Sequence, residues 1–194
     1  DTLLVHHGYF WKGEGAPLVG NKGRRIAALI RNNINLIAYH LPLDVHSCVG
    51  NNVHLGKLMG WTVDGGFVEV GGKPLVLSGR PDEELTLHQL TALIGKKLGN
   101  TPLAISAGSH AIKRIAWCTG AAQNYLEAAV DEGVDVFVSG EISENTVHFA
   151  RESGIHYIAA GHHATERYGV QALASIIEQK FGLPNRFIDI PNPV

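Results

Sequence analysis

Gly161-His162-His163-Ala164-Thr165-Glu166-Arg167 is the stretch on which the reading of this chain turns. It follows an apolar run, His156-Tyr157-Ile158-Ala159-Ala160. It precedes Tyr168 to Gly182, where Val170, Leu173, Ala174 and Ile177 recur at helical spacing. This pattern predicts a strand, a Gly-His-His turn and the first turn of a helix. His162 and Glu166 stand four apart, on one helical face once the helix has begun. An imidazole and a carboxylate converging at a strand end make a metal-ligand arrangement. For this segment alone, a helix start that simply carries His is the plain alternative.

Two further segments shift that balance. The chain opens Asp1-Thr2-Leu3-Leu4-Val5-His6-His7-Gly8, an apolar strand ending in a second His-rich turn. Leu36-Ile37-Ala38-Tyr39 is another short apolar strand, ending in His40-Leu41-Pro42-Leu43-Asp44. Three strands therefore end in His-rich turns, and two of those turns pair a His with an acid four residues on. In open α/β sheets, sites form just outside the carboxyl ends of parallel strands. One sheet region that gathers these turns would build a shared metal site.

The order of elements also repeats. The opening reads strand, His6-His7-Gly8, helix, Asn33-Ile34-Asn35, strand, then His40 with Asp44. The later half reads strand (Val134 to Ser139), Gly140-Glu141, helix, Gly154-Ile155, strand, then His162 with Glu166. This is the pattern of a diverged duplication of one strand–helix–strand unit.

Between these units the texture changes. From Trp61 to Arg80, alternating apolar residues with Gly65-Gly66 and Gly71-Gly72 predict short strands and hairpins. Thr86 caps a helix carrying Leu87, Leu90, Leu93, Ile94 and Leu98, and Leu103 to Ile105 and Ile112 to Cys118 supply two more strands. Arg24 to Asn33 reads as a helix, and Asn51-Asn52 as the cap of a short one, with His54 a surface or packing residue. The small-residue turn Thr119-Gly120-Ala121-Ala122 reads either as an anion-holding helix start or as close helix–strand packing. The loop Gly8 to Pro17 sets Tyr9, Phe10, Trp11 and Lys12 beside two candidate ligands, as a pocket lining or as a hydrophobic plug.

With 45% hydrophobic and 18% charged residues, the 194-residue chain has the composition of a globular protein with a substantial core. Its net charge of −2 leaves no electrostatic footprint for nucleic acid or an anionic membrane. No apolar run approaches the ~20 residues that span a bilayer, and no secretory signal is visible. Cys48 and Cys118 lack the spacing of a zinc knuckle or redox pair and are expected to be reduced and buried in a cytoplasmic protein. The chain starts without Met, inside a strand, so a further N-terminal segment is expected upstream.

The segments HHGYFWKG at 6–13, HLPLD at 40–44, GE at 140–141 and GHHATER at 161–167 resemble the NIF3-like family, also called DUF34 or the dinuclear-metal-centre family. Its bacterial members are often labelled GTP cyclohydrolase 1 type 2 homologues. The resemblance extends over the whole chain. It implies an α/β fold of two interlinked lobes, here residues 1–61 with 131–194 as the metal-site lobe and 62–130 as the second. It further implies two divalent metal ions per subunit held by His6, His7, Asp44, His162 and Glu166, which leaves His40 and His163 as neighbours. Asp44 and Glu166 are the carboxylates able to bridge, and Glu141 and His163 are the candidates for proton transfer.

From this we expect hydrolysis by a metal-activated water, on a nucleotide, with Lys12 or Arg167 contacting a phosphate unless each sits in a surface ion pair. The ligands suit Zn, Fe, Mn, Co or Ni. A rival expectation is a metal-binding chaperone or regulatory scaffold without turnover, and a third is metals that only staple the two halves. The resemblance also implies a ring-shaped homohexamer.

Overall fold

The computed structural model describes residues 1–194. β1 (Thr2–Val5), α1 (Gly20–Arg31) and β2 (Asn35–Ala38) form the first unit, with the two strands paired in parallel. α2 (Leu41–Val45) and α3 (Asn51–Met59) follow, then the hairpin of β3 (Thr62–Val70) and β4 (Lys73–Arg80). The chain continues through α4 (Leu87–Leu98), β5 (Leu103–Ile105), β6 (Ile115–Cys118) and α5 (Leu126–Asp131). β7 (Val136–Ser139), α6 (Glu144–Ser153) and β8 (His156–Ala159) make a second parallel unit, before α7 (His162–Glu166) and α8 (Tyr168–Phe181).

Six strands form one mixed sheet in the order β3-β4-β6-β7-β8-β5, parallel at its centre and antiparallel at both flanks. The central strands are apolar apart from Ser139 and His156 because both of their faces are covered. Alternate residues serve opposite sides: Ile115, Trp117, Val136, Val138 and Ile158 pack with Leu55 of α3 and Leu90 and Ile94 of α4. Ala116, Cys118, Phe137, Tyr157 and Ala159 pack with Ala129 of α5 and Ala150 of α6. The result is an α/β/α sandwich. Burying one such Leu, Ile or Phe side chain contributes about 1.5–3 kcal/mol.

Local signals act as read. Thr86 caps α4 in a reciprocal box with Gln89. The alternating stretch after Trp61 is the β3–β4 hairpin. The expected lobes, however, do not follow the sheets. The six-stranded sheet takes β3 to β6 from residues 62–130 and β7 and β8 from the stretch beyond, because parallel pairing of β6 with β7 joins them. What stands apart is β1–β2, a two-stranded sheet whose α1 buries no residue. No helix is long and apolar enough to cross a membrane.

Both strand–helix–strand units pair four residues in parallel, Thr2 to Val5 with Asn35 to Ala38 and Val136 to Ser139 with His156 to Ala159. The repeated order in the sequence is thus a repeated geometry, and the residues just beyond these strands form the centre described next.

Candidate metal centre

His6 and His7 are the two residues after β1. Tyr39 N–H donates to Val5 O at 3.2 Å, extending the ladder past β2 and carrying His40 alongside them. The His40 ring centroid lies 5.2 Å from that of His6 and 5.3 Å from that of His7. Pro42 in the first turn of α2 helps start that helix, which delivers buried Asp44. On the opposite side, β8 ends at Ala159, and Gly161 at φ +96° turns the chain sharply into α7. Few side chains tolerate that backbone geometry. One turn of α7 then presents His162 and Glu166 together, as their spacing predicted.

The four elements meet. His6, Asp44 and Glu166 place their candidate ligand atoms within 4.8 Å of one another, and so do His7, His162 and Glu166. Glu166 belongs to both sets. Its Oε2 lies 2.8 Å from His162 Nε2, 3.2 Å from His7 Nε2 and 3.6 Å from His6 Nε2. Asp44 Oδ2 lies 3.4 Å from His6 Nε2. All five expected ligands are therefore in one cluster, with one carboxylate oxygen facing three imidazoles. His40 is also within ligand distance of His6 and His7, closer to the centre than the resemblance implies.

His6 tests whether a cation fits. The residue is buried, yet neither ring nitrogen has a hydrogen-bond partner. Its approaches to Asp44 and Glu166 are electrostatic, without hydrogen-bond alignment. A buried polar atom left unpaired costs about 1–3 kcal/mol. A divalent cation accepting Nε2 and the two facing carboxylates would pair that nitrogen and both carboxylates, and the imidazole–carboxylate donor set suits first-row transition metals.

The electrostatics agree. Burial works to lower the pKa of His6, but Asp44 and Glu166 outweigh it and raise it to about 9. The hydrogen bond with Glu166, then that with Glu141, raises His162 to about 9 against its partial burial. Burial likewise works to raise Glu166, yet His162, His6 and His7 together hold it far below the usual carboxylate range. His40 is lowered, by burial and by the nearby charge of His6. The shifts are those of imidazoles and a carboxylate that share protons at close range.

A supporting layer orients these side chains. His162 Nδ1 lies 2.6 Å from Glu141 Oε1, which leaves Nε2 to face the cluster. Asn51 Nδ2 donates to Asp44 Oδ1 at 2.9 Å while Asn51 Oδ1 accepts from Gly169 N–H at 2.7 Å. With Thr119 Oγ1 also 3.3 Å from Oδ1, only Asp44 Oδ2 is left for His6. Asn52 accepts from Thr119 N–H and donates to Leu75 O. Asn51 and Asn52 are thus not helix caps: α3 begins at Asn51 behind Gly50, and both amides are spent on buried long-range bonds. The turn at Thr119-Gly120 is set by close approach, since a Cβ on Gly120 would run into the Glu166 carboxylate. An anion cradle there has no room.

The remaining sequence candidates lie elsewhere. His163 Nε2 pairs with Asp189 Oδ1 at 3.1 Å on the C-terminal tail and stays out of the cluster. Arg167 is occupied by Asp189 and by Leu98 O. Lys12 is exposed and makes no ion pair, in the loop that brings Trp11 to His7 and His40. His54 reaches Cys48 O, as a packing residue. Cys118 is buried, its thiol pushed up by desolvation, but Cys48 is exposed, contrary to expectation, because it sits in the open turn between α2 and α3.

Relatives share this arrangement of elements. The chain is 51% identical over 193 residues to a GTP cyclohydrolase 1 type 2 homolog of Pseudomonas aeruginosa, covering all of this chain and 76% of that protein. It is 50% identical to the protein of the same name from Vibrio cholerae, covering 77% of it. Among solved structures, the protein ybgI superposes with a TM-score of 0.95 at 45% identity, with 100% of this chain and 77% of that one covered. TTHA1606 from Thermus thermophilus follows at 0.87 and 36%, covering 100% and 76%. A family profile, Duf34/NIF3 (NGG1p interacting factor 3), matches residues 1–193. The chain belongs to the Duf34/NIF3 family.

Proposed function

We propose that the chain is a dinuclear-metal-dependent hydrolase acting on a nucleotide. One observation carries this reading: two ligand sets share Glu166, and one of them opens to solvent through His7, whose side chain is 41% exposed. A pair of divalent cations bound there would supply Lewis-acid polarisation of the substrate and acidify water. His6, Asp44 and Glu166 form the buried floor, where two carboxylates balance the cations' charge. His7 and His162 form the accessible side. Glu141 fixes the tautomer of His162 and, about one-third exposed, can also take up or release a proton at its carboxylate. The nucleotide assignment leans on the relatives' name, GTP cyclohydrolase 1 type 2 homolog.

Turnover of a nucleotide panel, GTP first, by protein loaded in turn with Zn, Mn and Fe tests the reading. Product formation that Glu166→Ala and His7→Ala abolish supports it. Two bound metals per chain with no turnover would favour the rival reading of a metal-handling protein, for which the exposure of His7 is the supporting observation. We also propose assembly into a ring-shaped homohexamer. Leu3, Ile30 and Ile37 expose apolar surface on the β1–α1–β2 unit, and light scattering that returns a monomer would refute it.

A further inference from the structure

Trp11 stands where the metal centre meets solvent. His6, Asp44 and Glu166 are buried, so the cluster opens on the side of His7 and His40. The indole lies there, edge-on to His40 with centroids 5.0 Å apart and planes at 84°, and 5.7 Å from the His7 ring. It keeps 43% of its surface exposed, whereas Trp61 and Trp117 are buried in the core.

The loop that carries it is pinned on both sides. Trp11 N–H donates to Glu14 Oε2 and Glu14 N–H donates to Trp11 O. Glu14 is in turn paired with Lys22 of α1. Before Trp11, the Lys22 ammonium sits 4.9 Å from the Phe10 ring centroid and the Arg25 guanidinium 5.7 Å from that of Tyr9. A large aromatic surface is thus held partly in water beside two imidazoles of the centre.

We infer that Trp11 is a stacking platform that takes the planar ring of a heteroaromatic ligand, such as a nucleobase, while the ligand's other end reaches the metal centre. The inference rests on the nucleotide reading above and deepens it by naming the group that recognises the ring. Stacking on indole tolerates any ring with a π-face, so this platform selects planar heterocycles as a class.

The test uses the zinc-loaded full chain with guanosine 5′-monophosphate and ribose 5-phosphate, which differ at C1′, where the first carries the base and the second a hydroxyl. Calorimetry should give tighter binding of the nucleotide. Trp11→Ala should weaken nucleotide binding about tenfold while leaving ribose phosphate unchanged, and Trp11→Phe should keep most of the preference. A stacked base should also quench the exposed indole, and that quench should vanish in Trp11→Phe because the other two tryptophans are buried. Unchanged zinc content and melting temperature show that the variants fold. Equal affinity for the two ligands, no binding of either, or full nucleotide affinity in Trp11→Ala overturns the platform. A nucleotide preference without turnover sinks the hydrolase and leaves the platform. Turnover undiminished in Trp11→Ala does the reverse.

Discussion

Glu141 Oε1 lies 2.6 Å from His162 Nδ1, on the far side of the imidazole from Glu166. The carboxylate comes from the residues just after β7 and the imidazole from α7, just after β8, so the segments that leave these two neighbouring strands lock each other. Glu141→Gln keeps the shape but no longer favours the Nδ1 proton as strongly. We expect metal affinity to fall about 10–100-fold, read by competition with a chromophoric chelator, while the fold is retained. Unaltered affinity would mean that Glu141 does not orient the ligand.

Asn51 bridges two elements that share no strand. Its amide ties Asp44 of α2 to the start of α8 at Gly169, and it is fully buried. Asn51→Ala removes both bonds, strands the Gly169 N–H out of water and leaves Asp44 Oδ1 with Thr119 Oγ1 as its one remaining partner. Denaturant titration of the metal-free protein should show a loss of about 1–3 kcal/mol. Metal binding should weaken too, as Asp44 gains freedom. A loss confined to metal affinity, with stability untouched, would contradict the bridging role.

Gly120 and Gly133 share a backbone φ of +69°, but only Gly120 faces a neighbour that an added methyl would strike. Alanine at either position carries the same left-handed strain, about 1–3 kcal/mol. Gly133→Ala should therefore lower stability and keep its metals. Gly120→Ala should displace the Glu166 carboxylate and lose metal as well, as elemental analysis would read. Equal metal content in the two variants would show that Glu166 has room to move.

The three His-rich turns were legible because their chemistry is local: candidate ligands follow directly on strand ends, and a His and an acid four apart share a helical face. The capping box at Thr86 and the hairpin after Trp61 are local in the same sense. What escaped is held by distant partners. Asn51 satisfies the local rule for a helix cap, yet its acceptor bond reaches 118 residues along the chain, and the bond from Thr119 N–H to Asn52 spans 67. The sheet crosses the expected lobe boundary for a related reason. The change of texture at Trp61 marks a hairpin, while pairing of β6 with β7 carries one sheet across the break. Small residues at Thr119-Gly120 signalled a close approach without saying to what.

On the proposed ligation, protons and metal compete for the same atoms, which gives opposite pH slopes for the two forms. His6 and His162 rise from an ordinary value of 6.5 to about 9 in the folded metal-free chain. Their stabilising contribution is therefore fully present below about pH 6.5 and is lost as pH climbs through 9. Glu166 is shifted the other way, so its contribution holds above its ordinary value of 4.5 and is lost in acid. The metal-free protein should be most stable between about pH 4.5 and 6.5, with a melting temperature that falls from 6.5 toward 9. As metal ligands, His6 and His162 must both be neutral, so loading at pH 7 should eject about two protons per chain. Calorimetry in buffers of different ionisation enthalpy counts them, and metal affinity should rise with pH across the same range in which the metal-free fold weakens. A metal-free melting temperature that rises from pH 6.5 to 9, or loading that releases no protons, would show that these imidazoles are not the groups the cation displaces.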